Sequence, residues 1–365
     1  MQKMSIESDL KKDGITVISE LDKSSINTIA KNVSQNIIST FPNIGFSFDE
    51  LYNRFSNLPM YIAHIPEGLS EASYFYKNSA IYFRDGMGLS DLEKYAVHEL
   101  IHNLQEVKDE KGNLKRLGLC IFHGSKASGM GLNEAAVQWI TSNIWGETFE
   151  NVTYYNIQFS TISPNCYPLL CNIIYQMTYV TGEEVLIDST INSNDHFKNK
   201  FSALCGELAY RTVSDSFDNI LNCEEKIIKL SNKLANSDVS TEKYHKLSEK
   251  IENLKKQIRQ QYFLAQETII KTYFATVYKS LLSSDDIERF RKKLYSFKDL
   301  IGTTDGYHFF NDYYIYMMEN LDKKFDSLPE IENSTYLIER KENTFLKIIN
   351  FIKKILLKRE FENDK

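Results

Sequence analysis

Two histidines four residues apart bracket a glutamate in the run His98-Glu99-Leu100-Ile101-His102. On a helix, side chains at this spacing lie about 40° apart around the axis and one turn apart along it, so both imidazoles can reach one ion. A carboxylate directly after the first histidine sits about 100° round, within reach of a water held by that ion. The chemistry served by this spacing is hydrolysis at a zinc centre, with neutral imidazoles holding Zn2+ and Glu99 acting as base. Two solvent-facing histidines on an amphipathic helix would share the spacing, so the flanking residues have to decide between the two.

The elements around the run agree with a metal site. Ser79–Phe83 has strand composition, and Arg84-Asp85-Gly86 closes it as a turn. Ser90 and Glu93 fit a capping box, which predicts a helix from Ser90 to about Val107, ahead of the polar stretch 108–113. Along that helix Leu92, Ala96, Val97, Leu100, Ile101 and Leu104 share one arc, while His98, Glu99, His102 and Gln105 share the other. The histidines therefore face away from the helix's own apolar stripe, as residues lining a cleft would. A further strand is expected over 117–122. A glycine-bearing loop, 124–131, then leads into a second helix from about Asn133 to Trp145, ended by Gly146.

The start of that second helix carries a family resemblance. Gly131-Leu132-Asn133-Glu134-Ala135-Ala136 resembles the Gly-x-x-Asn-Glu-Ala segment of the gluzincins, the thermolysin-like zinc peptidases, one residue shorter between Gly and Asn. Together with the His98–His102 run, the resemblance covers residues 95–140. It implies a zincin-like fold unit, His98, His102 and Glu134 as zinc ligands, Glu99 as general base, and a peptide or protein as substrate. It also implies that Ser79–Phe83 is the edge strand that pairs with an extended peptide. Two departures stand out: Gln138 occupies the place where the family has an aspartate orienting the first histidine, and 32 residues separate His102 from Glu134, more than in thermolysin. The family also supplies a His or Tyr to stabilise the oxyanion. His123, Tyr210 and His308 are candidates that no motif aligns.

The chain has 365 residues, with only 15 Gly and 6 Pro, and long stretches without breakers favour helix. The expected fold class is α+β, predominantly helical: a metal-binding unit with a small sheet and an active-site helix over 1–150, then a helical domain over 151–330. Heptad-like steps (Cys223, Ile227, Leu230, Leu234; then Leu247, Ile251, Leu254, Ile258) predict an antiparallel helical hairpin at 223–271. A basic amphipathic helix at 340–359, its apolar face within 344–359, suits a membrane surface or an acidic protein partner. The net charge of -6 gives no basic footprint for nucleic acid. Five cysteines without CxxC spacing read as reduced thiols, Cys166 and Cys171 buried among them. With no apolar leader or run of about 18 apolar residues, a cytoplasmic protein is the expectation. The alternative to an enzyme is a zinc-stabilised interaction protein acting through the hairpin and the C-terminal helix.

Overall fold

The computed structural model describes residues 2–12, 14–66, 70–124, 126–235 and 241–328. The fold is α+β and predominantly helical. Among the described residues two compact units are formed, one within 2–276 and 299–307, the other within 277–298 and 308–328.

In the first unit the chain runs α1 (Gln2–Lys12), β1 (Thr16–Glu20), α2 (Lys23–Thr40), α3 (Phe48–Ser56), β2 (Met60–His64), β3 (Ala72–Phe75), β4 (Ala80–Arg84) and α4 (Leu89–Leu104). A meander follows: β5 (Glu106–Lys108), β6 (Leu114–Leu117), β7 (Cys120–His123) and β8 (Lys126–Ser128). Next come α5 (Met130–Ile144), the hairpin β9 (Glu150–Tyr154) and β10 (Ile157–Thr161), then α6 (Pro168–Thr181), α7 (Glu183–Ile191), α8 (His196–Cys205), α9 (Glu207–Ala235) and α10 (Thr241–Lys279). The second unit holds α11 (Ser284–Phe297) and α12 (Phe309–Asp326).

The first sheet has the order β1-β2-β4-β3, with β4 parallel to β2 and antiparallel to β3. Ala80, Ile81, Tyr82 and Phe83 are all buried, the continuous apolar run of an interior strand. The segment expected to be a substrate-pairing edge is therefore central, and β3 is the edge strand on that side.

The predicted helix around the histidines is present, with its ends corrected. Gly88, not Ser90, is the N-cap: its extended backbone lets its carbonyl take the Asp91 and Leu92 N–H groups at 3.1 and 3.0 Å. The helix stops at Leu104 because Glu106 and Val107 pair with Leu117 and Arg116 as β5 against β6. Val107 accordingly points outward on a strand, while Gln105 at the C-cap is fully buried. The strand expected over 117–122 is two strands, joined by a tight turn at Gly118 with φ of 57°. A Cβ at Gly118 would overlap the side-chain amides of Asn133 and Gln105. The loop predicted over 124–131 contains β8, and the second helix begins at Met130 and ends, as expected, just before Gly146.

The helical hairpin is present as α9 and α10. Asn219 donates to Gln261 at 3.4 Å and Cys223 contacts Gln257 at 3.6 Å, pairs whose numbering runs in opposite senses. Its connecting residues 236–240 and the C-terminal segment 340–359 lie outside the described residues. All five cysteines are free thiols; Cys171 is buried as expected, whereas Cys166 is exposed. Among the described residues, no helix is long and apolar enough to cross a membrane.

Helix α5 packs against α9, most closely at Gly131. Gly131 meets the backbone of Phe217 and Asp218 so closely that a Cβ would strike the Phe217 carbonyl. Gly131→Ala should therefore force the two helices apart, cost about 1–3 kcal/mol, and lower the urea midpoint of unfolding.

Candidate metal centre

Glu134 sits one turn into α5, and the position of that turn is set from outside. Gly129, the N-cap of α5, is in the left-handed region and offers no side chain. Asp218 on α9 replaces the missing cap, its two carboxylate oxygens accepting from the Gly129 and Gly131 N–H groups, each at 2.8 Å. The helix start is thus clamped by a glycine contact and a carboxylate, and Glu134 is carried toward α4.

There it meets both histidines. Glu134 Oε2 lies 3.3 Å from His98 Nε2, and Glu134 Oε1 lies 3.4 Å from His102 Nε2. Donor atoms of these three residues all fall within 4.8 Å of one another. In a tetrahedral site with bonds of about 2.0–2.1 Å, neighbouring ligand atoms stand roughly 3.3–3.4 Å apart. The two Glu134 contacts are of that size, each to a different carboxylate oxygen, so the donor set fits zinc in atom type and lies within reach of one ion. The side chains are 13% (His98), 8% (His102) and 13% (Glu134) exposed, so the arc that faces away from the α4 stripe is itself covered.

Each imidazole is oriented by a neutral amide through its other nitrogen. His98 Nδ1 lies 3.1 Å from Gln138 Oε1, and the Gln138 amide nitrogen donates to Ser163 Oγ at 3.0 Å. His102 Nδ1 lies 3.1 Å from Gln105 Oε1. Gln105 and Asn133 exchange amide hydrogen bonds, each 3.2 Å, and Asn133 Oδ1 also accepts the Leu119 N–H at 3.0 Å. These partners turn both Nε2 atoms toward Glu134.

Glu99 is buried beside the triad without joining it. Its Oε2 accepts the Tyr74 N–H of β3 at 2.6 Å. The Tyr74 hydroxyl in turn accepts from Asn103, whose side-chain oxygen accepts from Arg54 at 2.8 Å. Tyr167 closes another side. It is the residue before Pro168 and the N-cap of α6, with φ of 49°, and its ring lies 6.4 Å from that of His98. A non-glycine residue in this region stores strain, and such strain is characteristic of functional positions. Burial first, and the Glu134 charge second, keep the Tyr167 phenol protonated.

Of the residues singled out from sequence, the fold brings together His98, Glu99, His102, Glu134 and Gln138. His123 is exposed at the end of β7. Tyr210 is buried against Phe201 at 6.1 Å, and His308 stands at the start of α12 in the second unit. None of these three contributes to the triad. Sequence reasoning missed Gln105, Tyr74, Tyr167 and Asp218. Tyr167 carried a signal as the residue before a proline, and Gln105 one as the residue three after His102 on the same arc; Tyr74 and Asp218 act through long-range contacts. No protein-family model matches the chain, and no curated protein or solved structure matches it either.

Without metal, the charges at the centre are coupled. Burial opposes protonation of His102, but the Glu134 carboxylate outweighs it and lifts His102 to about 9. Burial likewise opposes ionisation of Glu134, and the two imidazoles nevertheless hold it below the usual carboxylate range. The His102 contribution to stability is complete below its unfolded value near 6.5 and is lost as pH rises through about 9. The Glu134 contribution is present above its unfolded value and is lost on acidification. Metal-free protein should therefore melt at lower temperature as pH rises from 7 to 10. Zinc must displace the His102 proton, so zinc-saturated protein should show no such decline. Thermal melts in the two states check this. Gln138→Ala should weaken zinc binding about 10- to 100-fold in a chelator competition, with the fold retained.

Proposed function

We propose that the chain is a zinc metallopeptidase with a gluzincin-like site. The observation that carries this reading is the convergence of His98, His102 and Glu134 beside a second buried carboxylate, Glu99, that is anchored by a strand amide. A metal that only stiffened the fold would need no such carboxylate, and this favours an enzyme over a zinc-stabilised interaction protein.

His98, His102 and Glu134 would hold the ion. When bound, Zn2+ supplies Lewis acidity toward a carbonyl and lowers the pKa of water toward neutrality. The chain's own residues supply the rest. With Oε2 tied to Tyr74, Glu99 presents its carboxylate in one orientation, takes a proton from the attacking water, and passes it to the leaving amine. The neutral Tyr167 hydroxyl donates to the carbonyl oxygen as that atom gains charge. An extended peptide adding to the free side of β3 would run past Glu99, the role expected of the neighbouring strand.

The test is a peptide-library digest with stoichiometrically zinc-loaded protein. Glu99→Gln should bind zinc as wild type does and lose turnover by on the order of 10²–10⁴-fold. Tyr167→Phe should also retain zinc, with kcat lowered about 10²–10³-fold and KM little changed. Full turnover by a zinc-loaded Glu99→Gln variant, or failure of the wild type to bind zinc, contradicts the proposal.

A further inference from the structure

The two amides that orient the histidines each have a direction, and a backbone group fixes it. An amide side chain can be turned end for end, and a hydroxyl can donate or accept. A chain of such groups therefore takes its polarity from a member that can do only one of the two. Behind His98 that member is the Cys166 carbonyl. It can only accept, so the single hydrogen of Ser163 Oγ, 2.6 Å away, is spent on it. Ser163 is buried, and toward Gln138, at 3.0 Å, its oxygen is left only to accept. Gln138 must then turn its nitrogen to Ser163 and its oxygen to His98, whose Nδ1, at 3.1 Å, becomes the donor. Ser142 Oγ, 3.3 Å from the same Gln138 nitrogen, makes no such choice, because a hydroxyl there can as readily donate to an oxygen.

His102 has a counterpart. The Leu119 N–H can only donate, and it draws Asn133 Oδ1 toward it at 3.0 Å. Asn133 Nδ2 is thereby aimed at Gln105 Oε1, the atom that faces His102 Nδ1. One relay ends on a carbonyl and the other on an N–H, yet both make Nδ1 the donor.

The consequence lies at the other ring nitrogen. A neutral imidazole carries one hydrogen, and with it on Nδ1 the Nε2 of His98 presents a lone pair, 3.3 Å from Glu134 Oε2. Two acceptors facing each other are completed by a cation between them. With Gln138 turned round, the hydrogen would sit on Nε2 and go to Glu134, and the pair would be satisfied with nothing bound.

We propose that Ser163 is a positioning residue: by spending its hydrogen on the Cys166 carbonyl it holds Gln138, and through Gln138 the His98 ring, in the polarity that receives a metal ion. This rests on the metal-centre reading for its consequence and on the hydrogen-bond directions for the polarity itself.

Two measurements on the full chain test it. The first needs no metal and no turnover. Side-chain NMR of the nitrogen-labelled, metal-free protein should show a slowly exchanging hydrogen on His98 Nδ1 in the wild type and in Ser163→Thr, which keeps a hydroxyl. Ser163→Ala should lose that protection. No such hydrogen in the wild type, or one equally protected in Ser163→Ala, overturns the relay, and the wild-type spectrum decides even if a variant does not fold. The second is a double-mutant cycle in zinc affinity, read by chelator competition. Ser163→Ala should weaken zinc binding about 10-fold, and Ser163→Thr by less than about threefold. In a Gln138→Ala background, Ser163→Ala should change the affinity by less than about twofold, because its effect passes through Gln138. An equal loss in both backgrounds would mean that Ser163 only supports the fold, and overturns the proposal. A wild type with the protected Nδ1 hydrogen that binds no zinc would defeat the metal-centre reading while leaving the polarity established.

Discussion

A carboxylate shared between two imidazoles, in a place largely closed to water, is the contact on which the rest of the structure depends. Glu134 reaches His98 and His102 at 3.3 and 3.4 Å across the packing of α5 on α4. Such a group is tolerated only while a positive charge balances it, whether a proton on His102 or a metal ion. The crossing of the two helices is thus tied to the charge between them. The clamp at the start of α5, formed by Gly131 against Phe217 and by Asp218 accepting from the Gly129 and Gly131 N–H groups, fixes that helix start on α9.

Around that contact the polar layer is made of amides. Gln138 and Gln105 accept from the two histidines, and Asn133 locks Gln105 in place through a reciprocal pair. A neutral carbonyl raises the basicity of an imidazole less than a carboxylate does, so the histidines donate less charge to an ion they hold. An ion bound there would be a stronger Lewis acid, held less tightly, than one oriented by aspartate. The two carboxylates there, Glu134 and Glu99, are held differently, one between the two imidazoles and the other anchored to β3 at Tyr74.

How much of this was legible in the sequence followed from the range of each interaction. His98, Glu99 and His102 are a local pattern on one helix, and the predicted helix is there. Glu134 became visible only because a short motif resembles another family's, and Gln138 because it occupies a place in that motif. The boundaries failed where tertiary pairing overrode local signals. Ser90 resembles an N-cap, yet Gly88 takes the first helical bonds; Val107 continues the helical stripe, yet it is drawn into β5 by Arg116. Ser79–Phe83 reads as a strand, but nothing local says whether a strand is central or at an edge. Tyr74 and Asp218 act on partners 25 and 89 residues away, and single-sequence spacing carries no trace of such contacts, whereas Gln105 reaches His102 three residues back on its own helix end.

On the proposed reading, three side chains and only three, His98, His102 and Glu134, hold one zinc ion. X-ray absorption at the zinc edge of the loaded full-length chain tests it most directly. The expected spectrum has nitrogen and oxygen at about 2.0–2.1 Å, with scattering from two imidazoles and no sulfur. A sulfur shell at about 2.3 Å, which would bring Cys166 or another thiol onto the metal, would contradict it, as would a signal from one imidazole or none.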